Sequence, residues 1–209
     1  MSSMAKIDLK KVFKEFYNPP VKEAVIVDIP LMNYLMIDGM GDPATSKEYH
    51  ESIEALYNVA YTLKFMLKNK GKTADYIVPP LEGLWWADDM NAFTLGNREQ
   101  WKWTSMIMQP EFITRELVEE ALEQVRKKKD LPSLSKIKFE SLHEGLSAQI
   151  MHIGPYSAEG PTIEKLHNFV KENGYVLRGK HHEIYMSDPR KVAPEKLKTV
   201  IRQPIISGQ

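Results

Sequence analysis

Met36-Ile37-Asp38-Gly39 and Met151-His152-Ile153-Gly154 fall on one another when the 209-residue chain is shifted by 115 positions, and a helix is expected to begin shortly after each. The four-residue match is short, and the order of elements around it carries more. Before the first match stand Glu23–Ile29, β-branched and stopped by Pro30, and Tyr34–Ile37, closed by a Gly/Pro-rich turn. Before the second stand 137–142 and 147–153. A helix follows in each case, and then two more strands. Those of the first half are 76–87, interrupted by Pro79-Pro80, and 101–109. Those of the second are 180–186 and 200–206, with one helical turn at 194–197 between them. Each half therefore reads strand–strand–helix–strand–strand. The fold class expected is α+β: two curved antiparallel sheets brought together by duplication, helices on one face and a ligand groove between the halves.

The helix of the first half is the clearest in the chain. Thr45 and Glu48 form a capping box, and Tyr49, Ile53, Leu56, Ala60, Leu63 and Leu67 share one face. Lys68, Lys70 and Gly71 supply stop signals. A second row, Ile53, Tyr57, Tyr61 and Phe65, runs beside the first. A linking helix is expected over 114–129 and the helix of the second half over 161–174. Residues 1–21 read as an exposed leader. A single domain over 22–206 follows, with repeat one at about 22–110 and repeat two at about 136–206.

Composition narrows the function. Hydrophobic residues make up 43% and charged residues 27%, an ordinary globular balance. Lys+Arg and Asp+Glu are 28 each, so no net positive charge favours nucleic acid as the main partner. The absence of cysteine excludes disulfides, thiol catalysis and thiolate metal sites. No apolar run approaches 18 residues, and Met1–Lys11 has no signal-like apolar segment, so a cytoplasmic location and no membrane partner are expected. The six histidines show no metal-ligand spacing, no phosphate-binding glycine loop is present, and no cofactor is expected.

Three stretches carry candidate chemistry. Glu82-Gly83-Leu84-Trp85-Trp86 and Trp101-Lys102-Trp103 place four Trp on two strands. Adjacent Trp85 and Trp86 point to opposite faces, so one of them is expected to line the groove. Met106 and Met108, opposite Trp101 and Trp103, extend a surface suited to flat apolar ligands. In Lys180–Met186, alternation separates His182, Ile184 and Met186 from His181, Glu183 and Tyr185. The apolar set is expected under the helices, with Glu183 facing the groove opposite the Trp strands. A carboxylate among aromatics can neutralise a cation or act as acid or base; a solvated strand residue is the plain alternative. Tyr156, in the turn His152-Ile153-Gly154-Pro155-Tyr156, is placed at one end of the groove.

The element order, that turn and Glu183-Ile184-Tyr185-Met186-Ser187-Asp188-Pro189, followed by Ala193-Pro194-Glu195-Lys196-Leu197, resemble the GyrI-like small-molecule-binding family over nearly the whole chain. The resemblance implies two pseudo-symmetric β-α-β-β repeats with a groove between them. With about 20 residues before the fold, the chain resembles the stand-alone form. Trp85-Trp86 and the Glu-Ile-Tyr strand further resemble a subset that hydrolyses cyclopropane-bearing DNA-alkylating drugs. That likeness implies Glu183 as acid/base or water-orienting group, Tyr156 and Tyr185 as hydrogen-bonding assistants, and Trp85, Trp86 and Trp103 as stacking surfaces. Tyr57, Tyr61, Met106, Met108 and Glu82 complete the expected ligand-binding set. Two other functions stay open: a non-catalytic drug-binding or sequestering protein, and a gyrase modulator with a topoisomerase partner, which nothing in the residues indicates.

Overall fold

The computed structural model describes residues 6–69, 75–88 and 97–208. Among the described residues there are seven strands and five α-helices. Helices α1 (Leu9–Val12) and α2 (Lys14–Tyr17) precede β1 (Val25–Met40), α3 (Lys47–Asn69), β2 (Leu81–Trp86) and β3 (Lys102–Gln109). Helix α4 (Arg115–Arg126) leads to β4 (Lys138–Ile153), α5 (Gly160–Glu172), β5 (Tyr175–Leu177), β6 (His181–Tyr185) and β7 (Lys198–Ser207).

Six strands run antiparallel in the order β4-β1-β3-β2-β6-β7, and β4 also pairs with β7, so the sheet closes into a barrel. The two sheets expected from the sequence are thus one closed sheet. Closure depends on the two 16-residue strands. Val25–Met36 of β1 pair with β4 and Asn33–Met40 with β3; β4 likewise passes from β1 to β7 over Ser147–Ile153. Each of these strands stands where two were expected. Pro30 does not end β1, because there the strand is bonded only to β4, and the amide that proline lacks is not needed by a second neighbour.

Alternation separates two cores. Tyr34, Met36, Leu84, Met106, Met108, Met151, Ile184 and Val200 come from six different strands yet form one cluster, which places them inside the barrel. Leu9, Phe16 and Tyr17 of α1 and α2 join that cluster, so residues 6–20 are not the exposed leader expected. Outside, Leu35, Ile37, Trp85, Trp103 and Ile107 pack under α3 and α4, and Ala148, Ile150 and Ile201 under α5. Residues Tyr49, Leu56, Ala60, Leu63 and Leu67 of α3 face the sheet, with Leu56, Ala60 and Leu63 fully buried. Its cap is Ser46, whose Oγ accepts from the Tyr49 amide at 3.2 Å, one residue after the Thr45 expected. Gly71, the expected stop, lies outside the described residues. The indole of Trp103 lies over Gly39, directly across the β1–β3 pair, in space a Cβ would occupy.

The barrel interior also holds an ionic cluster. His182 contacts Glu82 Oε2 through Nε2 at 3.0 Å and Glu144 Oε1 through Nδ1 at 2.9 Å. Arg202 donates to Glu144 Oε2 (2.9 Å), Gln149 Oε1 (3.0 Å) and the Phe16 carbonyl (2.7 Å), and Tyr17 donates to Glu82 Oε1 at 3.0 Å. Burial alone would lower the His182 pKa, but Glu144 and then Glu82 push it up to about 9. Burial alone would raise Glu144, but His182 and Arg202 hold it at about 2.

Two outcomes follow. Leu56→Ala should cost about 2–5 kcal/mol in chemical denaturation, and Lys128→Ala, at the exposed end after α4, about 0.5 kcal/mol or less. The folded chain keeps a proton on His182 that the unfolded chain releases near pH ~6.5. Its contribution is therefore complete below about pH 6.5 and lost as pH rises through about 9. Urea midpoints measured across that window should fall more steeply for the wild type than for His182→Gln, and equal slopes would place the retained proton elsewhere.

Candidate functional site

Strand β6 lies beside β2 in the sheet, with Glu183 directly opposite Gly83. The interior-facing residues of β6 are His182 and Ile184; the face under the helices is that of His181, Glu183 and Tyr185. This reverses the expectation that the apolar set would lie beneath the helices: Ile184 joins the cluster inside the barrel, and Tyr185 packs against the core under α3.

On the outer face Glu183 is held by two neighbours on its own strand. Tyr185 donates to Oε2 at 2.9 Å, and His181 Nε2 lies 3.2 Å from Oε1. Trp85 Nε1 donates to the Tyr185 hydroxyl at 3.1 Å. Helix α3 contributes Tyr49, whose ring lies 5.8 Å from that of Trp85 and 5.1 Å from that of Trp103. The turn before α5 contributes Tyr156, edge-on to Tyr185 at 5.6 Å, and Glu159. The Glu183 side chain is 15% exposed within this wall.

Burial alone would raise the Glu183 pKa; hydrogen bonds from His181 and Tyr185 outweigh it and hold the carboxyl below its ordinary range. Burial, and next the Glu183 charge, push the Tyr185 phenol well up. Burial also raises Tyr156, to about 12, and Glu159, to about 9 with the Glu183 charge adding to it. The site thus combines an ionised carboxylate with phenols that keep their protons near neutral pH.

Of the residues singled out in the sequence, Glu183, Tyr185, Tyr156 and Trp85 are brought together. Tyr57 is half-buried next along α3 and is followed by the exposed Tyr61, their rings 6.2 Å apart. The others are elsewhere. Trp86 points to the barrel side, with Lys180 Nζ 3.3 Å from its ring centroid. Met106, Met108 and Glu82 are inside the barrel, where Glu82 serves the His182 cluster. Trp103 is fully buried beneath α3. Alternation sets Met106 and Met108 on the face opposite Trp103 without marking which face is interior, and both faces are core. Tyr49, expected only as part of the inward face of α3, and Gly83 and Glu159, to which the sequence assigns no role, also belong to the site. An open surface depression lined by Glu23, Ala24, Pro161 and Glu164 includes none of the Glu183 cluster. Among the described residues no group of three or more His, Asp or Glu is placed to hold a metal, and no helix is long and apolar enough to cross a membrane.

Residues 22–206 match the GyrI-like small molecule binding domain. The chain belongs to the GyrI-like family. Two solved structures of proteins from Listeria innocua are 42% identical to it. One is of an uncharacterized conserved protein, covering 96% of this chain and all of its own at a TM-score of 0.90. The other is of a hydrolase, with the same coverage at 0.83. The C-terminal domain of EcmrR, 14% identical, covers 88% of this chain and 98% of its own at 0.55, which shows a shared fold alone. No curated protein matches the chain.

Gly83 is where a substitution tests this arrangement. A Cβ there would lie 2.8 Å from Trp85 Nε1 and 3.0 Å from the Tyr185 hydroxyl. Gly83→Ala should destabilise the fold by about 1–3 kcal/mol through overpacking. Gly160→Ala, where the added Cβ meets nothing within 4 Å, should leave thermal stability unchanged or raised.

Proposed function

We propose that this GyrI-like chain is a hydrolase of flat, cyclopropane-bearing electrophiles and protects the cell by opening the strained ring with water. The observation that carries the reading is Glu183: a carboxylate fixed by Tyr185 and His181, slightly open to solvent and walled by Trp85, Tyr49 and Tyr156. A 42%-identical protein from Listeria innocua described as a hydrolase supports it. The reading takes β1-α3-β2-β3 and β4-α5-β6-β7 as two repeats and seats the ligand between α3 and the turn before α5.

In such a compound the three-membered ring is conjugated to a dienone. Water bonds to the ring carbon and the ring C–C bond breaks. Its electron pair passes through the conjugated system to the carbonyl oxygen, restoring an aromatic ring as a phenolate. Glu183 takes the proton that water loses, and the phenolate takes a proton from solvent. The reaction runs downhill, so the protein's share is to orient a flat molecule against the aromatic wall and to hold one water at the carboxylate. Tyr185 keeps its proton and fixes the Glu183 rotamer; Tyr156, Trp85 and Tyr57 supply stacking and edge contacts.

Glu183→Gln preserves shape and removes basicity. It should cut the rate of water addition, followed by mass spectrometry of the product, by ~10²–10⁴-fold, while a planar ligand still quenches Trp fluorescence. Wild-type protein that binds the compound and returns it unchanged would instead make this a sequestering protein.

A further inference from the structure

Glu159 stands at the start of α5, where its backbone carbonyl accepts from the Thr162 and Ile163 amides at 2.9 Å. A carboxylate here would ordinarily turn back to cap the helix. The Glu159 side chain makes no such bond. It is buried, and its carboxyl makes hydrogen-bond contact with Glu183 and lies beside Thr199 of β7. Its Oε1 has no partner. The titratable groups facing it are Glu183 and Tyr185 on β6 and Tyr156 in its own turn.

Two carboxyl groups in contact and largely removed from water cannot both be ionised without a large cost. A single proton between them removes the repulsion and turns the contact into a hydrogen bond. The donors decide which group keeps that proton. Glu183 receives the Tyr185 hydroxyl and faces His181, whereas Glu159 has an orphaned oxygen and the Thr199 hydroxyl beside it is itself unpartnered. Negative charge is better solvated on Glu183.

We infer that Glu159 is the proton-bearing member of a carboxyl pair and acts as a positioning residue, donating its O–H to Glu183 so that the catalytic carboxylate stays singly charged and fixed in rotamer. The catalytic consequence rests on the hydrolytic reading above; the location of the proton does not. The upward shift of Glu159 to about 9 agrees with it, burial and the Glu183 charge outweighing the helix N-terminus that favours the anion. As pH rises through that region the pair becomes doubly charged, the donor is lost and Glu183 is pushed from its place. Activity should therefore have an alkaline limb that belongs to the pair, although Glu183 is ionised throughout.

Glu159→Gln tests this, because the amide keeps a donor toward Glu183 and removes the titration. Infrared spectra of the wild type at pH 7 should show a carboxylic-acid C=O band that bleaches as pH passes about 9 and is missing from Glu159→Gln. On the cyclopropane substrate, Glu159→Gln should keep turnover within a few-fold at pH 7 and lose the alkaline limb. Glu159→Ala, without a donor, should fall well below it. A band that is absent at pH 7, or that survives in Glu159→Gln, overturns the inference. A loss of ~10²–10⁴-fold in Glu159→Gln overturns the positioning role, since it would mean that Glu159 delivers a proton in the reaction. Wild type without turnover sinks the hydrolytic reading, and the infrared result alone then decides where the proton sits.

Discussion

Alternation along β6 places His182 inside a closed sheet and Glu183 outside it, and most of the polar structure hangs on that one-residue step. Inward, His182 bridges Glu82 of β2 to Glu144 of β4, and Glu144 joins Arg202 of β7. Arg202 and Glu82 in turn hold Phe16 and Tyr17 of α2. Outward, Glu183 meets the aromatic wall. A slip of one residue in β6 would exchange the two faces, setting a carboxylate among Met106, Met108 and Val200 and stranding Glu82 and Glu144 without their imidazole. Removing one partner from such a buried cluster costs about 3–5 kcal/mol, since the charges left behind have no water to turn to. The interior cluster thus acts as a register lock for the strand that carries Glu183.

Much of this was legible in the sequence. The split of His181–Tyr185 into two faces, the inward face of α3 and the α+β order all follow from period-two and period-3.6 patterns. The closure did not, because it rests on β4 meeting β7, a pairing between segments some fifty residues apart with no local signature. Nor did the identity of the inner face. Both faces of β2 and β3 are buried, one by the barrel and one by α3, so no polar side marks the outside. Met106 and Trp103 consequently looked alike as groove residues, and both are core. Glu82, expected among the ligand-binding residues, has its role set by His182, one hundred residues later in the chain.

The site also shows why only one of the adjacent tryptophans contributes. Trp86 turns inward and is covered by Lys180. Trp85 turns outward, and an indole N–H can only donate. The Tyr185 oxygen accepts that bond, and its own hydrogen goes to the Glu183 carboxylate, which can only accept. Direction is thereby imposed along Trp85, Tyr185 and Glu183, and every hydrogen in the chain points at the carboxylate. Tyr185 cannot serve as the base, because its burial and the facing Glu183 charge keep its proton on. The side of Gly83 facing these groups has to be empty for the indole and phenol to meet at 3.1 Å across it. Gly83, opposite Glu183 in β2, leaves the space in which the neighbouring strand's indole orients the Tyr185 hydroxyl toward the Glu183 carboxylate.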